Sequence, residues 1–249
     1  MTDGRTRNGG QLLMDSLVAL GATRGFGVPG ESYLAVLDAM VDQANAFDLV
    51  LCRQEGGAAY MAAAWGKLTG EPGLCFVTRG PGATNATVGI HTAMQDSVPM
   101  ILFVGQVGTN VLGREAFQEV DYTAFFGPLA KWAVQIDHVD RVPEIISRAW
   151  TVAMSGRPGP VVVALPEDML TEEVAEPVTI PGPAHVIQAH PGPEQMGELR
   201  AMLAEAERPF LMLGGGSWTE QGAKDIVAFA AQQGVAACPA LETVGPLTA

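Results

Sequence analysis

The sequence predicts an α/β fold: a doubly wound, mostly parallel sheet with helices on both faces, followed by the start of a second Rossmann-like α/β domain. Short, fully apolar segments alternate with longer segments of helical periodicity, as expected for parallel strands buried between helices. The composition agrees, because 48% of the 249 residues are hydrophobic and only 16% are charged, which indicates a large core.

The first part of the chain alternates helix and strand as far as residue 105. Apolar residues at helical spacing predict a helix over 11–20, which Gly21 ends. Ser32 is expected to cap a helix over 33–41. The same reasoning gives strands at 26–28, 49–52, 74–77 and 100–105, and helices at 55–67 and 80–95.

Residues 106–131 form a long irregular segment with several aromatic side chains, and loops of this length are often functional. The remaining predicted strands are 131–136, 161–165, 210–213 and 235–238, and the remaining helices are 142–154, 194–207 and 221–233. We therefore expect a first domain over 1–170, a proline-rich linker over 171–193 and an incomplete second α/β domain over 194–249. Two strands bury too little surface to be stable by themselves.

The charge and the cysteines narrow the class of protein. A formal net charge of −13 argues against nucleic acid or an anionic membrane surface as the main partner. No apolar run is long enough to span a membrane, and the polar N-terminus lacks the apolar core of a signal peptide. Three scattered cysteines fit neither a disulfide framework nor a metal site. These features predict a cytoplasmic protein without metal ligands of its own.

Unusual residues follow four of the predicted strands. In an open parallel sheet, ligands bind outside the carboxyl ends of the strands, so we expect these residues to lie along one edge. They are Pro29-Gly30-Glu31-Ser32, Glu55, Arg79 to Asn85, and Gly105-Gln106-Val107.

Each of these features also has a plain structural interpretation. Glu55 is either a first-turn acid that the helix dipole favours or a catalytic group. The glycines of 80–85 either form a tight turn or present backbone N–H groups to an anion, although the spacing matches no dinucleotide fingerprint. Gly214-Gly215-Gly216 has the same two interpretations, so a nucleotide-binding module remains an alternative.

The order of the motifs resembles the N-terminal part of thiamine-diphosphate-dependent enzymes, and most closely that of the acetolactate synthase (acetohydroxyacid synthase) group. The resemblance covers about residues 11–170 and rests on 26–30, 53–59, 80–85, 95–99, 105–107, 117–119 and 155–161. It implies a pyrimidine-binding domain followed by the start of a central domain. The third domain of the family, which carries a Gly-Asp-Gly…Asn motif, is absent from this sequence.

The resemblance also implies roles for individual residues. Glu55 is expected to hydrogen-bond N1′ of the cofactor's aminopyrimidine and to exchange a proton with it. The cofactor ring is expected to be contacted by Pro29, Gly30, Gly82 and Asn85. The reacting C2 atom and the substrate are expected to be faced by Gln106, Phe117 and Gln118, of which Gln106 and Gln118 are placed among the catalytic residues with Glu55.

Three departures from the family pattern bear on the substrate. Gln54 stands where the synthases usually have His. Glu31 and Ser32 replace small residues, and these two side chains are expected to face the substrate. The linker near Ala189-His190-Pro191 lacks a lysine that true acetohydroxyacid synthases carry. These departures argue against acetolactate synthesis and against FAD binding. A related thiamine-diphosphate enzyme with another acyl donor is therefore an alternative.

The resemblance implies a carboligase or decarboxylase that uses thiamine diphosphate on a 2-oxo acid. Mg²⁺ would be held through the missing C-terminal domain, supplied by the same protein or by a partner chain. Because the family's site lies between subunits, we expect a homodimer or tetramer. The present chain alone is expected to be inactive, because the diphosphate-binding domain is missing. A non-catalytic regulatory or split subunit with this fold is the main alternative.

Overall fold

The computed structural model describes residues 6–174, 178–187, 189–216 and 218–239. The chain divides into two compact units, 1–186 and 187–249, and each is described by itself. Parts of the predicted linker (175–177 and 188) and of the predicted central domain (217 and 240–249) lie outside the described residues.

The first unit is built on a six-stranded sheet whose paired strands all run parallel. Its strands are β2 (Arg24–Gly27), β3 (Asp48–Leu51), β4 (Gly73–Val77), β5 (Met100–Gln106), β6 (Trp132–Gln135) and β7 (Pro160–Pro166), and a separate two-stranded pair joins β1 (Arg7–Asn8) to β8 (Glu173–Val174). The order across the large sheet is β3-β2-β4-β5-β7-β6. The predicted α/β class is confirmed, and the apolar strand β7 is interior, as predicted.

Helices cover both faces of this sheet. They are α1 (Gly9–Ala19), α2 (Leu34–Asp42), α3 (Glu55–Thr69), α4 (Gly80–Gln95), α5 (Tyr122–Phe126), α6 (Val142–Met154) and α7 (Glu167–Thr171). Buried side chains of α1, α2, α6 and α7 form the core on one face. Those of α3, α4 and α5 form the core on the other.

The chain changes face between the adjacent strands β2 and β4. The helix after β2 packs on one face and the helix after β4 packs on the other. Such a topological switch point opens a crevice at the carboxyl ends of the two strands, where ligands bind in open α/β sheets. The fold therefore directs attention to the loops that begin at residues 28 and 78.

Small residues let α3 and α4 approach each other closely. A Cβ added at Gly89 of α4 would meet the side chain of Ala59 and lie 2.8 Å from that residue's carbonyl carbon. The ends of α3 are also fixed locally. The Gly57 N–H donates to the side chain of the N-cap residue Gln54 at 2.7 Å, and Gly70 ends the helix with φ +76°, a conformation that glycine adopts at little cost.

The end of α4 is held by a residue distant in sequence. Arg157 donates to the carbonyls of Met94 at 3.1 Å and Gln95 at 2.9 Å, and to Ser97 Oγ at 2.7 Å. The last carbonyls of a helix lack partners within the helix, and a cation there also complements the helix dipole. Arg157, within the motif over 155–161, therefore stabilises the C-terminal end of α4.

Two local predictions were wrong. Ser32 does not cap the second helix: a 3₁₀ turn over Glu31–Tyr33 precedes α2, and the Ser32 hydroxyl instead contacts Thr78. The segment 106–131 is not wholly irregular, because it contains α5. Within the predicted linker, Glu173 and Val174 form a short strand that pairs with Asn8 and Arg7.

The second unit contains α8 (Pro193–Glu205), β9 (Phe210–Leu213), α9 (Glu220–Gln233) and β10 (Ala236–Pro239). The two strands are parallel, as expected for a βαβ unit. Among the described residues of this unit, Val235 alone is buried. Across the described chain, no helix is both long enough and apolar enough to cross a membrane.

Candidate functional site

The carboxyl edge of the parallel sheet brings the four predicted loops to one side of the first unit, because neighbouring strands share one direction. The crevice lies between the loop after β2 and the loop after β4. The loop after β3 leads into α3, and the loop after β5 begins the segment 107–121. We call this region the strand-edge site.

Glu55 and Asn85 meet at this edge. Glu55 is the first residue of α3 and is half-buried. Asn85, in the first turns of α4, donates from Nδ2 to Glu55 Oε2 at 3.0 Å. Among the described residues, no group donates a hydrogen bond to Glu55 Oε1. The close packing continues beside them, since a Cβ at Gly56 would lie 3.1 Å from the Asn85 carbonyl oxygen.

The loop after β2 is fixed against the ends of β4 and β5. The buried Tyr33 hydroxyl donates to the Val28 carbonyl at 2.6 Å, and burial raises the pKa of Tyr33. The Ser32 and Thr78 hydroxyls lie 3.0 Å apart. A Cβ at Gly30 would lie 2.5 Å from Thr78 Cβ. Glycine is therefore required at residue 30 by protein packing.

The segment 107–121 returns to the start of α4. The buried Gln106 amide bridges both of its ends: Nε2 donates to the Val120 carbonyl at 2.8 Å, and Oε1 accepts from Val107 N at 3.0 Å. The Gly80 N–H donates to the Gln118 carbonyl at 3.0 Å. Gln118 has φ +65°, an uncommon conformation for a residue with a side chain.

A carboxylate holds the turn of this segment. Glu119 accepts from Gly113 N at 2.5 Å and from Ala116 N at 2.9 Å. The Gly113 backbone hydrogen bond, followed by that of Ala116, lowers the pKa of Glu119. The segment is thus fixed at its base and at its turn, whereas Phe117, at its tip, is 74% exposed.

A charged cluster joins three of the loops. The Arg79 side chain is only 11% exposed; Nη2 lies 2.5 Å from Glu167 Oε2, and Nη1 lies 3.7 Å from Glu31 Oε1. Next to Glu167, Asp168 accepts from Thr109 N at 3.0 Å and from the Thr109 hydroxyl. Burial acts to raise the pKa of Asp168, but the hydrogen bonds, chiefly from Thr109, outweigh it and lower the pKa.

The structure brings together some of the predicted site residues and separates others. Glu55 contacts Asn85, and the loop with Gly30 and Ser32 lies on the ends of β4 and β5. No hydrogen bond among the described residues joins Glu55 to Gln106 or Gln118. Pro29 lies in the β2 loop, and Gly82 is buried against Val77 and Thr78, so protein packing explains that glycine. Their contacts with a cofactor or substrate remain predictions.

Four charged residues of the edge were not among the predicted catalytic, cofactor-binding or substrate-facing residues: Arg79, Glu119, Glu167 and Asp168. Arg79 and Glu119 lay inside the motifs described above, and a charged residue close behind an apolar strand, as Arg79 is after β4 and Glu167 is after β7, was the available signal. Asp168 gave no such signal, because its partner Thr109 is 59 residues away. In the described parts of the chain, no group of His, Cys, Asp and Glu side chains is arranged to hold a metal ion.

Comparison with known proteins agrees with this geometry. Residues 7–125 match the family described as "Thiamine pyrophosphate enzyme, N-terminal TPP binding domain". Similar curated proteins include the "Acetolactate synthase isozyme 2 large subunit" of Escherichia coli (strain K12), which is 36% identical over 243 residues, or 97% of this chain and 43% of that protein. Another is the "Acetolactate synthase large subunit" of Lactococcus lactis subsp. lactis (strain IL1403), which is 38% identical over 84% of this chain and 36% of that protein.

A third relative is the "Probable acetolactate synthase large subunit" of Methanocaldococcus jannaschii, which is 39% identical over 84% of this chain and 36% of its own length. The chain therefore spans less than half the length of each of these three relatives. The predicted resemblance is confirmed. Residues 7–125 match the N-terminal TPP-binding domain of the thiamine pyrophosphate enzyme family, as the resemblance implied.

Proposed function

We propose that this chain supplies the aminopyrimidine-binding half of a thiamine-diphosphate-dependent carboligase or decarboxylase that acts on 2-oxo acids. The observation that carries the proposal is the Glu55–Asn85 pair at the strand edge of a TPP-binding domain. The acetolactate synthases to which the chain is similar support this reaction class.

The residues at the edge fit an aminopyrimidine. Asn85 holds one oxygen of the half-buried Glu55 carboxylate, while no described residue donates to the other oxygen. A carboxyl group with one oxygen anchored and the other available can hold a proton at a ring nitrogen. When bound, thiamine diphosphate supplies the carbon that attacks the 2-oxo acid and accepts the electrons released by decarboxylation.

Each remaining predicted residue has a place in this proposal. Gln106 would hold the 107–121 segment in place, because its side-chain amide hydrogen-bonds to backbone groups near both ends of that segment. Gln118 and Phe117 lie on that segment and would face the substrate. Glu31 and Ser32 would shape the substrate side of the β2 loop, and the ring would rest near Pro29, Gly30 and Gly82.

The rest of the enzyme is also part of the proposal. The diphosphate and Mg²⁺ would be held by a further domain or a partner chain. We propose the domain boundaries 1–170 and 194–249 with the linker 171–193 between them. A homodimer or tetramer in the cytoplasm remains the expected state.

The test is the variant Glu55→Gln in the chain co-expressed with a diphosphate-binding part. The amide retains the size of the side chain but cannot exchange a proton as a carboxyl group does. We expect decarboxylation of a 2-oxo acid such as pyruvate to fall by roughly 10²–10⁴-fold, the usual contribution of general acid–base catalysis.

A matched control is Glu71→Gln, which changes an exposed glutamate just beyond the other end of α3. We expect the control to retain wild-type activity. Full activity in Glu55→Gln would refute the role of Glu55. Failure of the wild-type complex to bind thiamine diphosphate in calorimetry would refute the proposed function itself.

A further inference from the structure

Helix α7 starts directly at the end of β7 and carries two adjacent carboxylates, Glu167 and Asp168. The two side chains bond to different loops of the strand-edge site. Glu167 pairs with Arg79, in the loop after β4. Asp168 accepts hydrogen bonds from Thr109, in the loop after β5.

The Arg79–Glu167 pair fixes the start of α4. The guanidinium is 11% exposed, whereas the Glu167 side chain is 50% exposed and that of the second carboxylate, Glu31, is 75% exposed at 3.7 Å. A largely buried cation requires a close partner, and the 2.5 Å contact to Glu167 supplies it. Arg79 directly precedes Gly80, whose N–H donates to the Gln118 carbonyl.

Asp168 fixes the start of the 107–121 segment. Its two oxygens accept from the Thr109 N–H, each at 3.0 Å, and Oδ2 also accepts from the Thr109 hydroxyl. This double attachment sets the direction in which the segment leaves the sheet. The segment then returns to Gly80, whose N–H donates to the Gln118 carbonyl. Helix α7 therefore holds both partners of this hydrogen bond, one through Arg79 and the other through Thr109.

We propose that Glu167 and Asp168 are positioning residues, which hold the start of α4 and the 107–121 segment in register across the strand-edge site. The Glu55–Asn85 contact lies on the same first turns of α4. The consequence for cofactor binding rests on the proposed function, while the consequence for loop order does not. The nearby Glu172 is exposed and accepts no hydrogen bond from a described residue, so Glu172→Gln is a matched control.

The first measurement is amide hydrogen exchange of the 249-residue chain without cofactor. In Glu167→Gln we expect the Gly80 amide to exchange about tenfold faster or more, and in Asp168→Asn we expect the same of the Thr109 amide, because local opening becomes easier when an anchor is lost. The control Glu172→Gln is expected to exchange like the wild type. Wild-type exchange in both test variants would overturn the proposal.

A second variant separates positioning from general destabilisation. Replacing both partners, in Arg79→Met with Glu167→Met, leaves no unpaired buried charge, so stability is expected to recover relative to Glu167→Gln alone. The link is still missing, so fast exchange at Gly80 is expected to persist. Recovery of slow exchange together with stability would overturn the positioning role.

The last measurement is thiamine diphosphate affinity by calorimetry, in the same co-expressed complex that tests the proposed function. We expect about a tenfold weaker affinity in Glu167→Gln and Asp168→Asn, with Glu172→Gln unchanged. Unchanged affinity in variants with fast exchange would overturn the link between loop position and the cofactor site. If the wild-type complex binds no cofactor, the proposed function fails, and the exchange data still decide whether the two carboxylates hold the loops.

Discussion

The close packing of α3 on α4 leads to a specific prediction for Gly89→Ala. A Cβ at Gly89 would contact the Ala59 side chain and lie 2.8 Å from the Ala59 carbonyl carbon and 3.1 Å from its Cα. Carbon atoms pack best at about 3.5–4.0 Å. The two helices would therefore have to separate by roughly 1 Å, since backbone atoms cannot rotate away as a side chain can.

Two opposing effects set the size of the change. Alanine in a helix interior is favoured over glycine by about 1 kcal/mol, whereas overpacking a well-packed interface costs about 1–3 kcal/mol. The contact with backbone places Gly89→Ala near the upper part of that range, so the net loss is about 1–2 kcal/mol. For a protein of this size, Tm is expected to fall by about 2–8 °C.

Thermal unfolding followed by circular dichroism measures this change. Gly57→Ala is the matched control, because Gly57 is exposed on α3 and a Cβ there would meet only Gln54 Oε1, at 3.8 Å. We expect the control to keep or raise Tm. If Gly89→Ala also kept or raised Tm, the argument that the small residues are needed for helix contact would be refuted.

Three further predictions concern pH, a helix clamp and a helix end. The hydrogen bonds to Asp168 lower its pKa, so their contribution to stability is present above about pH 4 and is lost as the pH falls through that lowered pKa. The Tm difference between wild type and Asp168→Asn is therefore expected to shrink between pH 6 and pH 3. A constant Tm difference would contradict this. Arg157→Met removes the hydrogen bonds at the end of α4 and is expected to cost on the order of 1 kcal/mol in urea unfolding, an interpretation that wild-type stability would refute. Gly70→Ala forces alanine to adopt φ +76° and is expected to cost about 1–2 kcal/mol in the same assay; an unchanged midpoint would show that the helix end rearranges.

Much of the fold could be predicted because the signals are local. The helix over 80–95 has the predicted bounds, and the strand at 74–77 differs by one residue from β4. Glycine and proline mark ends, and apolar periodicity marks faces, within a few residues of each other. The prediction for Ser32 failed because a serine before a helix is a good local cap, whereas here its hydroxyl contacts Thr78, 46 residues away.

The candidate site was predictable to the extent that the strand order follows from alternation. Parallel strands place their following loops at one edge, so the sequence could predict that the β2 and β4 loops lie on the same side of the sheet. The Glu55–Asn85 hydrogen bond, across 30 residues, was not derivable from either helix alone. It depends on how closely α3 packs on α4, which the glycines and alanines permit but do not specify.

By itself, the sequence determined the α/β class, the order of the elements, the edge that carries the candidate site and the family that residues 7–125 match. The tertiary structure alone decided which side chains support that edge. Arg79 and Glu167 are separated by 88 residues, and Asp168 and Thr109 by 59. The physical reason is that secondary structure and turns depend on near neighbours in the chain, whereas a buried charge or a loop anchor depends on whichever group the packed sheet places beside it.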